Sequence, residues 1–86
     1  MMLIALDYDK TFTADRQLWR EFVSLAEGRG HSVVIATMRR PDEAIEDAPC
    51  RVVYTSRAAK KAALSQVGIN PDIWIDDTPA WILFDA

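Results

Sequence analysis

Four aspartates stand in two pairs near the two ends of this 86-residue chain. Asp7 and Asp9 follow an apolar run at residues 3–6, and Asp76 and Asp77 follow the run "IWI". Neighbouring carboxylates repel one another, so acids placed at the end of an apolar run need a positive partner. A divalent cation that prefers hard oxygen ligands, such as Mg²⁺, would offset their charge.

Four short apolar runs predict the strands that would carry these acids, at residues 3–6, 33–36, 51–55 and 72–75. The runs do not alternate cleanly between apolar and polar residues, which is typical of strands buried on both faces of a parallel sheet. Residues 81–84 fit either a short edge strand or an irregular tail.

Three helices are predicted between these strands. The first spans about residues 15–27, with an apolar stripe at helical spacing formed by Leu18, Trp19, Phe22, Val23, Leu25 and Ala26. A short acidic helix is predicted at residues 41–47, and a third at residues 56–67, capped by Ser56 and ended by Gly68. The alternating order predicts a single α/β domain over residues 1–86, with a doubly wound, Rossmann-like parallel sheet of about four strands flanked by helices.

Basic residues also follow the predicted strand ends. In an open parallel sheet, binding sites form outside the carboxyl ends of the strands. Six of the ten basic residues fall there beside the four aspartates, namely Lys10, Arg39, Arg40, Arg57, Lys60 and Lys61. Acids ringed by bases are what a divalent cation together with a phosphate group requires. This edge is therefore interpreted as a site for Mg²⁺ and a phosphorylated substrate.

Composition narrows the function classes. The net charge of −3 argues against general electrostatic binding to duplex nucleic acid. The single cysteine, Cys50, cannot form an internal disulfide. No segment approaches the roughly 20 apolar residues of a membrane span, and residues 1–6 do not resemble a signal peptide. These features predict a cytoplasmic protein without a membrane partner.

Four short motifs together resemble the haloacid dehalogenase (HAD) superfamily of hydrolases. They are Asp7-x-Asp9-x-Thr11 after an apolar strand, Thr37 at the end of the second strand, a lysine that opens a later helix, and Asp76–Asp77 after "IWI". Their order and their predicted elements match those of the superfamily, and they span nearly the whole chain. The resemblance implies a HAD-like fold, here with room for no cap domain.

The resemblance also implies catalytic roles. Asp7 would be the nucleophile that forms an aspartyl-phosphate, and Asp9 the general acid and later the general base. Thr37 would donate a hydrogen bond to phosphoryl oxygens. Lys60, preferred over Lys61 without excluding it, would neutralise the charge that develops during transfer.

Metal and substrate ligands follow from the same resemblance. Mg²⁺ would be held by the Asp7 carboxylate, the Asp9 backbone carbonyl and Asp77, with Asp76 nearby or bound through water. Lys10, Thr11 and Arg39 are the predicted substrate-binding residues. Lys10 stands where the superfamily commonly has glycine, and the further acid that often follows the last motif is absent.

The sequence leaves two functions open. The preferred one is a Mg²⁺-dependent phosphomonoester hydrolase acting on a phosphorylated small molecule or a nucleotide or polynucleotide end. The alternative is a catalytically weak module that binds Mg²⁺, phosphate or a partner. The apolar segment "WILF" at residues 81–84 is a candidate interface for a homo-oligomer. The hydrolase function requires that Asp7 and Asp77 meet around one ion and that no lysine ammonium fills its place.

Overall fold

Four parallel strands form one sheet in the computed structural model, which describes all 86 residues. They are β1 (Leu3–Leu6), β2 (Ser32–Thr37), β3 (Arg51–Tyr54) and β4 (Ile73–Ile75), in the spatial order β3-β2-β1-β4. In the pairing of the strands, Ile4 of β1 lies opposite Val33 of β2 on one side and opposite Ile73 of β4 on the other. The predicted parallel sheet of four strands is confirmed, and its topology is Rossmann-like.

Three α-helices and one 3₁₀ turn connect or follow the strands. They are the 3₁₀ turn Phe12–Ala14, α1 (Arg16–Gly28), α2 (Lys60–Gln66) and α3 (Ala80–Leu83). The Asp15 carboxylate caps the start of α1 by accepting a hydrogen bond from the Leu18 backbone N–H. No helix is both long and apolar enough to cross a membrane.

The two central strands, β1 and β2, are buried on both faces of the sheet, and successive strand residues point to opposite faces. Ile4 and Leu6 pack with Val33 and Ile35 in one core cluster, which includes Val23 of α1. Ala5, Val34 and Ala36 belong to a second cluster with Leu64 of α2. Burial on both faces explains why these two strands read as continuous apolar runs, whereas β3 and β4 are only partly buried.

The apolar stripe of α1 is narrower than predicted. Val23 and Ala26 are buried, and Trp19 and Phe22 pack against the core beside them. Leu18 and Leu25, in contrast, are half or more exposed. The prediction was wrong for these two leucines, because they lie on the flanks of the face that the sheet covers.

The predicted acidic helix at residues 41–47 does not form, and residues 38–50 contain no helix or strand. Side chains from other elements hold this segment instead. The Asp47 carboxylate accepts hydrogen bonds from Tyr8 (2.7 Å) and Arg16 (2.8 Å), and Tyr54 Oη accepts one from the Ile45 backbone N–H (2.9 Å). A helix of about seven residues is marginal alone, so these tertiary contacts decide its conformation.

Two predictions near the ends of α2 and the chain were also wrong. The helix α2 begins at Lys60, not at Ser56, because Ser56 and Arg57 adopt left-handed backbone conformations with φ of 53° and 70°. The residue before the helix is held by Asp85, whose carboxylate accepts a hydrogen bond from Ala59 N at 2.7 Å, and no side chain caps the first N–H groups of α2 itself. Residues 81–84 are neither an edge strand nor a wholly irregular tail, since most of them belong to α3. Leu83 and Phe84 remain exposed.

Candidate functional site

The strand order brings the two pairs of aspartates together. From β1 the chain moves to β2 and β3 on one side, and then returns to place β4 on the other side of β1. Ligands bind at such a switch in strand order, outside the carboxyl ends of the strands. The Asp7 backbone N–H donates to the Ile75 carbonyl at 2.9 Å, so the ends of β1 and β4 are adjacent.

The loop after β1 turns sharply and is closed by its own backbone. Phe12 N donates to the Asp7 carbonyl (3.3 Å), and the Thr13 hydroxyl accepts from Lys10 N (2.9 Å). Lys10 has a φ of 68°, in the left-handed region that costs an L-residue roughly 1–2 kcal/mol. Glycine adopts this conformation without strain, whereas the lysine at this position adds a cation to the lining of the cleft described below.

Lys60 forms a buried ion triad with Asp7 and Asp76, and these three residues are called the triad below. Its ammonium lies 2.7 Å from Asp7 Oδ1 and 2.5 Å from Asp76 Oδ2. The side chains are 3%, 9% and 2% exposed for Lys60, Asp7 and Asp76, respectively. Lys61 is exposed. Of the two lysines left open by the sequence, Lys60 is the one at the site.

Thr11 connects the two ends of the chain on the other side of Asp7. Its hydroxyl donates to Asp7 Oδ2 at 3.0 Å and lies 3.2 Å from Asp77 Oδ1. The same hydroxyl oxygen accepts from the Asp77 backbone N–H at 3.2 Å. Thr11 is buried and does not line the cleft that Asp7 shares with Thr37, but it lines a neighbouring depression together with Asp76 and Asp77. A substrate contact of Thr11 stays a prediction.

Asp7, Asp76 and Asp77 could together hold a metal ion. One carboxylate oxygen from each lies within 4.8 Å of the others. Lys60 occupies the gap between Asp7 and Asp76, so an ion does not fit between those two oxygens. On the side of Asp7 Oδ2 and Asp77, no basic side chain makes an ion pair. The residues therefore fit a hard divalent cation on the Asp77 side, with Asp76 committed to Lys60 and to the Thr78 backbone N–H (2.9 Å).

Burial and crowding of charge alter the acidity of this cluster. Burial, reinforced by the contact with Asp77, raises the pKa of Asp7 from its usual 3.8 to about 6, although Lys60 acts in the opposite direction. The pKa of Asp77 is lowered, mainly by its contact with Asp7 and also by Thr11. Of these two carboxyl groups, Asp77 is therefore the one that loses its proton at the lower pH.

Asp9 lies on the exposed side of the site, in a bidentate ion pair with Arg39. The two bonds measure 2.7 Å (Arg39 Nη2 to Asp9 Oδ1) and 3.0 Å (Nε to Oδ2). The guanidinium also lies 5.0 Å from the centre of the Tyr8 ring. Hydrogen bonding to Arg39 lowers the pKa of Asp9. The carboxylate of Asp9 is outside the group of three acids that could bind a metal.

Thr37 is buried at the carboxyl end of β2 and lines the same cleft as Asp7. Its hydroxyl oxygen accepts from the Arg39 backbone N–H at 3.2 Å. The hydroxyl hydrogen has no acceptor in the protein, so it is free to donate to an oxygen in the cleft. The donation to a phosphoryl oxygen that the resemblance implies stays a prediction.

The cleft that these residues share has a volume of about 290 Å³. Among the six basic residues predicted at this edge, Lys10, Arg39, Arg57 and Lys60 line it, whereas Arg40 and Lys61 do not. Four further lining residues, Met38, Thr78, Trp81 and Ala86, were not predicted. For these four residues the sequence offered one signal, which is that Trp81 follows Asp77 by only four residues.

Comparisons of the chain with protein-family models, with curated proteins and with solved structures found no match. What is established for this chain therefore rests on its own residues. They form a Rossmann-like parallel sheet whose carboxyl edge carries an acidic cluster that could hold a metal ion.

Proposed function

We propose that the protein is a Mg²⁺-dependent phosphomonoester hydrolase of the HAD type that forms an aspartyl-phosphate on Asp7. The observation that carries this proposal is the meeting of Asp7 and Asp77 at one cleft, with Lys60 held on the opposite oxygen of Asp7. Four motif residues from distant parts of the chain, Asp7, Thr37, Lys60 and Asp77, line that single cleft.

Asp7 and Asp77 would hold the metal, with Asp76 close enough to contribute through water. When bound, Mg²⁺ would supply positive charge that offsets both the acids and the phosphate oxygens. The donor set supports this assignment, because three carboxylates within 4.8 Å of one another face only one ammonium.

Asp7 is suited to attack phosphorus. A carboxylate oxygen of Asp7 forms the new bond to phosphorus while the bond to the ester oxygen breaks, and water later attacks the aspartyl-phosphate to release phosphate and regenerate the carboxylate. With a pKa of about 6, Asp7 is mostly ionised at pH 7. The Lys60 ammonium, at 2.7 Å, fixes the direction of its carboxylate.

Asp9 would protonate the departing ester oxygen and then take a proton from the attacking water. In the structure Arg39 keeps Asp9 ionised, which suits the second of these roles. The first role requires Arg39 to release Asp9, and the incoming phosphate is a competing anion for the guanidinium. The Arg39 and Asp9 side chains are 32% and 52% exposed, so a phosphate can reach the guanidinium and replace Asp9 as its partner.

The hydrolysis of an aryl phosphate with and without Mg²⁺ tests the proposal. We expect activity that needs Mg²⁺ and falls at least about 1,000-fold in Asp7→Asn, since the amide is not a nucleophile. Asp42→Asn is the matched control, because Asp42 is an exposed acid away from the cleft, and it should retain full activity. Activity indifferent to Mg²⁺ or to Asp7→Asn would refute the proposal.

One observation favours the alternative, a module that binds Mg²⁺ and phosphate without appreciable turnover. The two hydrogen bonds from Arg39 occupy both carboxylate oxygens of Asp9. If this pair persists with phosphate bound, the general acid is lost while the metal and phosphate sites remain. Saturable binding of inorganic phosphate that requires Mg²⁺, in a protein that hydrolyses no phosphate ester, would support the binding module.

A further inference from the structure

We propose that Trp81 is a stacking surface for an aromatic ring in the leaving group, so that the preferred substrates are phosphate monoesters carrying a planar ring, such as nucleoside monophosphates. This inference rests on the proposed function, because it names the class of ester that the same cleft would take. Its support comes from the composition of the cleft wall and from the way α3 is anchored.

Trp81 is the only aromatic residue in a cleft lined mainly by polar and charged groups. The other apolar lining residues are Met38 and Ala86. The indole is 38% exposed, and no other ring or guanidinium of the protein packs on it. An exposed indole beside charged groups offers a large apolar face at little conformational cost.

The start of α3 is tied to the triad. One oxygen of Asp76 binds Lys60 and the other accepts from the Thr78 backbone N–H at 2.9 Å. The Trp81 backbone N–H in turn donates to the Thr78 carbonyl at 3.1 Å. Two hydrogen bonds therefore link the backbone of Trp81 to a carboxylate that contacts the same lysine as the nucleophile.

The residues after α3 are anchored on the other wall. Asp85 accepts from Ala59 N at 2.7 Å, and the Ala86 backbone N–H donates to the Arg57 carbonyl at 2.8 Å. With both ends of α3 attached, the backbone that carries Trp81 is held beside the cleft before any ligand binds. A preformed surface loses less entropy on binding than one that must be ordered.

The shape of the cleft favours a flat group over a bulky aliphatic one. The cleft is open and has no enclosed apolar pocket, whereas an aliphatic group gains affinity mainly by being surrounded. A planar ring needs only one apolar face to stack on, and one such contact with a nucleobase changes binding by roughly 5- to 150-fold.

Adenosine 5′-monophosphate and ribose 5-phosphate form a matched pair for the test, because both are esters of a primary alcohol and differ in the base. We expect the wild type to favour the nucleotide about tenfold in kcat/KM. This preference should fall to about one in Trp81→Ala and largely persist in Trp81→Phe. Leu83→Ala, an exposed neighbour on α3 that does not line the cleft, should behave as the wild type.

A second arm measures binding without turnover, by calorimetry of the two esters with Mg²⁺ in the Asp7→Asn background. Trp81→Leu is added there, because it keeps apolar volume and supports the fold while removing the ring. Equal kcat/KM for the two esters in an active wild type would overturn the inference and leave the hydrolase proposal intact. The two proposals can also fail in the other order. If the wild type hydrolyses neither ester but the protein binds the nucleotide more tightly in a way that depends on Trp81, the inference is supported and the hydrolase proposal is contradicted.

Discussion

Asp7 and Asp9 lie one residue apart and each pairs with a basic side chain, but the two pairs lie in different surroundings. The triad of Asp7, Lys60 and Asp76 is almost completely removed from solvent. The pair of Asp9 and Arg39 is one-third to one-half exposed. Both sets of contacts are short, so the two sites differ in solvent exposure and not in the distance between the charged groups.

This difference has consequences for both stability and chemistry. In a buried site the loss of one partner leaves a charge that water cannot reach, whereas exposed pairs contribute little because water and salt replace the lost contact. We therefore interpret the triad as a fixed support for Asp7, the proposed nucleophile, and the outer pair as an exchangeable one, which suits the proposed role of Asp9 as a proton carrier.

The largest expected effect is that of Lys60→Met. Removing the ammonium leaves Asp7 and Asp76 buried without their cation, and we expect a loss of about 3–5 kcal/mol in the free energy of unfolding. Lys61→Met, one residue along on the exposed side of α2, should change it by less than about 0.5 kcal/mol. Urea denaturation of both variants measures the difference. Equal losses of unfolding free energy in Lys60→Met and Lys61→Met would mean that the buried triad contributes no more to stability than an exposed lysine.

The response to Mg²⁺ should depend on pH through Asp7. Its folded pKa of about 6 lies above the usual 3.8, so without metal its contribution to stability is full below pH 4 and is lost as the pH rises through 6. Mg²⁺ competes with the proton. We expect a Mg²⁺ concentration of 100 times the Kd measured at pH 7 to stabilise the fold by about 2.7 kcal/mol at that pH. The same concentration should stabilise it by about half as much at pH 5, because protonation of Asp7 weakens binding.

Thermal unfolding with and without Mg²⁺ at the two pH values checks this prediction. Asp7→Asn cannot exchange a proton for the ion, so its smaller shift should not vary between pH 5 and pH 7. A wild-type shift of the same size at both pH values would argue that Asp7 is not a ligand.

Asp85 tests whether the triad depends on a hydrogen bond from outside its own elements. Asp85→Ala removes the acceptor of the Ala59 backbone N–H just before α2, and we expect a loss of about 1 kcal/mol in stability. Asp85→Asn keeps an oxygen acceptor and should lose less. The comparison uses the free energy of unfolding in urea, and an unchanged value for Asp85→Ala would show that water replaces this hydrogen bond without cost.

The smallest expected effect on stability is that of Arg39→Met at the exposed pair. Its loss should cost at most about 1 kcal/mol, decreasing further in high salt. A loss comparable to that of Lys60→Met would remove the distinction between the two regions. Urea denaturation at low and high salt provides the measurement.

The sheet and the acid cluster were predictable from the sequence because both follow from local signals. Apolar runs mark the strands, and parallel strands place whatever follows them at one edge, so Asp7, Thr37 and Asp77 could be brought together without a structure. The alternation of Ile4, Ala5 and Leu6 between the two cores adds only detail to that pattern.

The parts that could not be predicted depend on contacts between distant residues. The sequence favoured Lys60 over Lys61 without excluding Lys61, but the exact start of α2 at Lys60 depends on the left-handed backbone of Ser56 and Arg57 and on the anchoring of Ala59 by Asp85. The segment at residues 38–50 has helix-like composition, but bonds from Tyr8, Arg16 and Tyr54 hold it in another form. Nothing in the sequence around Asp9 indicates that Arg39 would bind its carboxylate.

The most direct test of the central claim is to trap the phosphorylated residue. The protein is mixed with an aryl phosphate and Mg²⁺, quenched in acid and reduced with borohydride, which converts an aspartyl-phosphate to homoserine that mass spectrometry can locate. We predict homoserine at position 7 and at no other aspartate, with none formed when Mg²⁺ is omitted. Rapid hydrolysis of the ester with no modification at Asp7, or with homoserine at position 9, would contradict the account.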